Sequence, residues 1–135
     1  YTSAEALSGA TVVAEKKSAG EEVAQSDDFF KQATYVSVDS QAKALLEVKS
    51  GTADIAVIDY VMSIGTLKDG SDYSNLSVIE DKSFAPEQYG VALRKDSTET
   101  LAKLDDAMQA LADNGELEKI ADKYNLKDLL LIKAK

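Results

Sequence analysis

The chain has 135 residues, 44% of them hydrophobic and 29% charged, and its 15 basic against 24 acidic side chains leave a formal charge of −9. That length fits one ordinary domain with a real core, and the acidic balance argues against a nucleic-acid surface, which needs a basic patch to displace counterions. With no histidine and no cysteine, Ser-His and Cys-His catalysis, a histidine zinc site, disulfides and thiol chemistry are all excluded.

No run of 18 or more apolar residues occurs, so a spanning helix is excluded, and no Asp-rich loop of calcium type appears. No signal segment is expected within these residues. A chain opening on Tyr1 rather than Met is expected to have been processed or excised.

In chain order, "TSAEALSG" predicts a short helical turn with Thr2 or Ser3 as cap and Gly9 as stop. "ATVVAE", residues 10–15, reads as a strand, followed by the loop "KKSAG" and a helix over about 20–31. "TYVSV" is a second strand. Ser40 then caps "QAKALLEVKSG", with Ala42, Leu45 and Leu46 on one face and Gly51 as its end. "ADIAVI", residues 53–58, is a third strand: mostly apolar and β-branched, as a strand buried on both faces reads. "DYVMSIGTL" predicts a short helix and "DGSDYSN" a loop in turn residues. "LSVIE", 76–80, and "YGVAL", 89–93, read as a fourth and a fifth strand.

After "RKDS" the period changes. Leu101, Leu104, Met108 and Leu111 repeat at helical spacing over 98–113, and "NG" breaks the run at Asn114 and Gly115. Leu117, Ile120, Ala121 and Tyr124 mark a second helix over 115–124. The tail "KDLLLIKAK" is apolar then basic, and no element is assigned to it.

Strands alternating with helices imply right-handed crossovers and a three-layer α/β fold around a mostly parallel sheet. In such sheets ligands sit beyond the carboxyl ends of the strands. Two loops leave such ends, "EKKSAG" after the first strand and Asp59 after the third. In a doubly wound order these strands are neighbours, and their loops face one crevice.

The first loop brings Ser18 to the start of a helix, with the amides of Ala19 and Gly20 at the positive end of the helix dipole. Such an end holds a carboxylate or phosphate. Ser18 also reads as a plain N-cap, with Glu21 or Glu22 completing a capping box, as in many helices. Asp59 has the same two readings: a cap for the helix starting at Tyr60, or a carboxylate aimed at a cation such as an ammonium. Together the loops offer an anion holder and a cation holder, which matches a zwitterion such as a free amino acid.

The succession "LSGATVVAEKKSAGEE", "LLEVKSGTADIAVIDYVMS", "FAPEQYGVALRKDS" and "LDDAMQALADNGELEKIADKYN" resembles the extracellular, periplasmic-type solute-binding proteins that deliver polar amino acids to ABC transporters. The resemblance covers nearly the whole chain. It implies a lobe of such a protein, residues 1–88, followed by a returning hinge strand and C-terminal helices, 89–135. "YGVAL" then runs antiparallel to the other strands. By the same resemblance, Ser18 and the Ala19 amide take the ligand carboxylate, Asp59 takes its ammonium, and Glu15 touches its side chain, favouring a basic or hydrogen-bonding one. No catalytic residue, metal or cofactor is implied.

The implied partners are an amino acid and, through the full-length protein, a transporter permease. The implied location is extracellular or periplasmic, with or without a lipid anchor at the cell surface. Two departures stand out. The family usually carries glycine where Lys17 stands, and nothing here corresponds to the family's first lobe. The chain then reads as a second lobe with half of the cleft. Its uncovered helices make self-association plausible, as a dimer that exchanges the C-terminal helices.

A different class shares one motif. "ADIAVIDYVMS" also resembles the third strand of phosphorelay receiver domains, with Asp59 as phosphoacceptor. Receivers need an acidic pair after the first strand to hold magnesium, and here Glu15 is followed by two lysines. A third alternative is an interaction domain without a small ligand.

Overall fold

The computed structural model describes residues 1–79, 82–84 and 86–135. The chain divides into two units, Tyr1–Pro86 and Glu87–Lys135.

The first unit is built on β1, Thr11–Glu15, whose central Val12, Val13 and Ala14 are all buried. β2, Thr34–Val38, and β3, Ile55–Val57, pair with it on either side, both parallel, in the order β2-β1-β3. The register sets Val12 opposite Tyr35 and Ile55, and Ala14 opposite Ser37 and Val57.

The chain moves one way from β1 to β2 and the other way from β2 to β3. Right-handed crossovers therefore put the two linking helices on opposite faces. Alternation of side chains along β1 confirms it. Val12 and Ala14 pack with Leu7, Ala24 and Phe30 on the face of α1, Ala19–Ser26. Val13 packs with Ala44 on the face of α2, Gln41–Ser50. This is the expected three-layer α/β arrangement.

Several boundaries follow from single residues. Ser40 Oγ accepts the Lys43 amide at 3.1 Å and opens α2, and Gly51 closes it in the left-handed conformation at φ 77°. The helix expected over 20–31 ends at Ser26 instead. Asp27 is extended there, and its Oδ1 accepts the Phe29 amide at 2.9 Å, so a separate 3₁₀ turn, Asp28–Phe30, starts afresh. An aspartate that bonds its own backbone two residues on competes with helix continuation. The third strand is shorter than 53–58, and α3, Tyr60–Thr66, follows it.

The fourth and fifth strands are corrected. Residues 76–79 form no ladder; the Leu76 amide is taken by Tyr73 O at 2.9 Å in a local turn, and Val78 and Ile79 stay exposed. Glu80, the last residue of that expected strand, lies outside the described residues. The returning antiparallel strand at 89–93 is likewise not formed among the described residues, and Val91 is 69% exposed. Strand propensity measures fit to a pleated, half-buried surface, and neither segment is packed on one.

In the second unit, α4 is Thr98–Asp113 and α5 is Glu116–Lys123, packed against each other with Ala112 and Ala121 buried. Between them Gly115 takes φ 78°, and Asn114 Oδ1 accepts the Glu116 amide at 3.0 Å. α5 stops at a left-handed Asn125, with the Leu126 amide reaching back to Ala121 O at 2.8 Å. Such a residue satisfies the last carbonyls of a helix. The unassigned tail lies along α4: Gln109 Nε2 donates to Lys133 O at 3.0 Å, and the Lys135 amide to Asp113 Oδ1 at 2.9 Å. No helix among the described residues is long and apolar enough to cross a membrane.

Candidate ligand site at the carboxyl edge of the sheet

β1 and β3 are hydrogen-bonded neighbours, so the chain after Glu15 and the chain after Val57 leave the same edge side by side. In a parallel sheet the linking helices also begin at that edge. Three helix starts are therefore gathered around it: Ala19, Gln41 and Tyr60.

The first loop is tightly held. The Lys16 amide extends the ladder to Val38 O at 2.8 Å. Ser18 Oγ donates to Glu15 O at 2.7 Å and accepts the Glu21 amide at 3.1 Å, so the serine does act as an N-cap. Glu21 Oε2 accepts the Lys17 amide at 2.6 Å, and its Oε1 accepts the Tyr35 hydroxyl at 2.9 Å. The Lys17 amide first, and then the Tyr35 hydroxyl, hold the Glu21 carboxyl below the usual carboxylate range. Burial, followed by the bond to Glu21, pushes the Tyr35 phenol up to about 12. A strand residue thus braces the acid that ties down the loop.

Lys17 sits at φ 63°. A side chain there costs roughly 1–2 kcal/mol that glycine avoids. With the serine engaged, two amides remain open at the start of α1. Ala19 N–H and Gly20 N–H take no partner among the described residues. Gly20 is also a close approach. A β-carbon on it would meet Val57 O at 2.9 Å, so the start of α1 rests against the end of β3.

Asp59 precedes α3, yet its carboxylate makes no cap bond. Instead Oδ2 accepts Gln41 Nε2 at 2.6 Å, and the Asp59 amide donates to Gln41 Oε1 at 2.9 Å. Oδ1 takes no hydrogen bond among the described residues. Glu15, half-buried at the end of β1, has an unpartnered carboxylate among them too. Of two surface hollows, one of about 340 Å³ lies between β2 and α2, and one of about 430 Å³ beside α1 and Phe84 takes in Ala19. Neither takes in Asp59. The polar groups at the sheet edge form an open ledge.

Gln41 and the Glu21–Tyr35 brace were missed in the sequence. Gln41 follows the capping Ser40 directly, and the first residue of a helix after a parallel strand stands at the carboxyl edge. That position was the available signal.

The fold is similar to that of a solute-binding protein. The chain is 28% identical to an amino acid ABC transporter substrate-binding protein, AbpA of Streptococcus pneumoniae, solved bound to L-arginine, with a TM-score of 0.70 over 94% of this chain and 52% of that one. It is also 36% identical over 78 residues, 58% of its own length and 30% of the relative's, to the arginine-binding extracellular protein ArtP of Bacillus subtilis. No protein-family model matches. On both likenesses the chain is related to the extracellular solute-binding proteins of amino-acid ABC transporters, and it spans about half the length of the solved relative.

Proposed function

We propose that this chain supplies one wall of a cleft for a free polar amino acid, within the substrate-binding component of an ABC transporter. The observation that carries the reading is the juxtaposition at one sheet edge of two open amides at a helix start and a carboxylate kept off its own helix. The amides of Ala19 and Gly20, beside Ser18, hold the ligand carboxylate, and Asp59 holds its ammonium. Glu15 faces the ligand side chain and favours a basic one. The names of both relatives, each of which binds arginine, agree with that preference. The role is binding rather than catalysis, at an extracellular surface, with permease contact through the complete two-lobed protein. Residues 1–88 act as the lobe and 89–135 as the hinge return and helices. The receiver alternative finds no second acid beside Glu15, only Lys16 and Lys17.

Ligand sites bury most of the ligand surface, and a single wall leaves one side in water. Titration calorimetry of the chain with L-arginine is expected to give a Kd weaker than about 0.1 mM; submicromolar binding contradicts the one-wall reading. Leu101, Ile120 and Tyr124 stay about half exposed, and burying apolar area yields roughly 25 cal/mol per Å². We therefore expect the C-terminal helices to exchange between two copies. Light scattering should show a dimer, and a monomer with both helices labile to protease contradicts it.

A further inference from the structure

We propose that Gln41 is a positioning residue that presents Asp59 Oδ1 to a ligand ammonium; this rests on the function proposed above. Its amide closes a ring on Asp59. One arm donates to Oδ2 at 2.6 Å and the other accepts the Asp59 backbone amide at 2.9 Å. Both residues are half-buried, and 18 positions of sequence separate them. The ring fixes the acid at two points and keeps it from capping α3, which its place before Tyr60 would otherwise allow. It occupies one carboxylate oxygen and leaves the other with no partner among the described residues.

The neutrality of the clamp matters as much as its geometry. A lysine or arginine at this place would also hold the carboxylate, but would cancel the charge that an ammonium needs. An amide orients the acid and leaves the full negative charge in place. Lys43, on the same helix, is engaged elsewhere, with its Nζ 2.7 Å from Glu47 Oε1. Gln41 is able to do this because it is the first residue of α2, at the carboxyl edge where β3 ends.

The test compares two probes on the full chain by NMR titration: L-arginine, and δ-guanidinovalerate, which is arginine without its α-ammonium. In the unmodified chain arginine should bind more tightly. In Gln41→Met, which keeps the side-chain stem and removes the amide, the ratio of the two affinities should fall by about fivefold. In Asp59→Asn it should fall further, and adding Gln41→Met to Asp59→Asn should then change nothing more. A purely structural role lowers both affinities together and leaves the ratio unchanged, which overturns the proposal. An Asp59→Asn loss without a Gln41→Met loss also overturns it, while sparing the ammonium reading. Equal affinities in the unmodified chain, or no shift with either probe, overturn the ammonium reading and this proposal together. Should Gln41→Met unfold, Gln41→Leu is judged by the same ratio.

Discussion

Leu7→Ala should remove about 2–5 kcal/mol of stability from the first unit, the range for leucine truncation in a close-packed core. Leu7 is 0% exposed and sits in a single 3₁₀ turn, Glu5–Leu7, ahead of β1. Its side chain closes one face of the central strand, in a cluster with Ala10, Val12, Ala24, Phe30 and Ile55. Those neighbours come from two strands, a helix and a second turn, so they are poorly able to collapse into the space left behind. Stability of roughly 0.05–0.15 kcal/mol per residue gives a unit of this size about 4–13 kcal/mol in total. The variant should therefore be marginal or unfolded at ambient temperature. Urea denaturation followed by circular dichroism measures it, and a loss below about 1 kcal/mol would show that the turn is peripheral.

Asp59→Asn is expected to leave stability almost unchanged while lowering amino-acid affinity by about tenfold or more. Asparagine keeps an oxygen that can accept from Gln41 Nε2, and asparagine precedes helices as readily as aspartate. What is lost is the charge. A charge-assisted bond to an ammonium contributes roughly 1.5–3 kcal/mol at such a place. The effect is best read in this chain joined to the first lobe of a complete relative, where binding is tight enough to follow over several decades. A variant binding as tightly as its parent would return Asp59 to a structural role.

Much of the fold was legible because local chemistry agreed with it. The helix over 98–113 was readable to the residue, since the stripe of Leu101, Leu104, Met108 and Leu111 ends at "NG". Ser40 and Gly51 marked α2 for the same reason. The alternation of strands and helices was enough to imply that β1 and β3 are neighbours and share an edge. Other features depend on one particular side-chain bond or on a ladder partner. "YGVAL" has strand propensity, but a strand also needs a ladder, and propensity says nothing of that. Asp27 looked like one more polar helix residue until its side chain bonded Phe29 N–H and restarted the chain. The cap at Ser18 was visible, whereas the brace from Tyr35 through Glu21 to the Lys17 amide joins three separate elements. Asp59 was singled out by its place after an apolar strand, but its bond to Gln41 spans 18 positions of sequence, and only the place of Gln41 at the start of α2 hints at it.

We propose that one sheet edge, between the start of α1 and Asp59, receives a free amino acid. The most direct test follows every backbone amide of the chain by NMR during a millimolar titration with L-arginine. Shifts should concentrate on Ala19, Gly20 and Asp59, saturate together with a Kd weaker than about 0.1 mM, and leave the face of β2 and α2 unmoved. Shifts centred on the hollow lined by Val36, Asp39 and Lys43, or spread without saturation over the whole surface, would contradict the account.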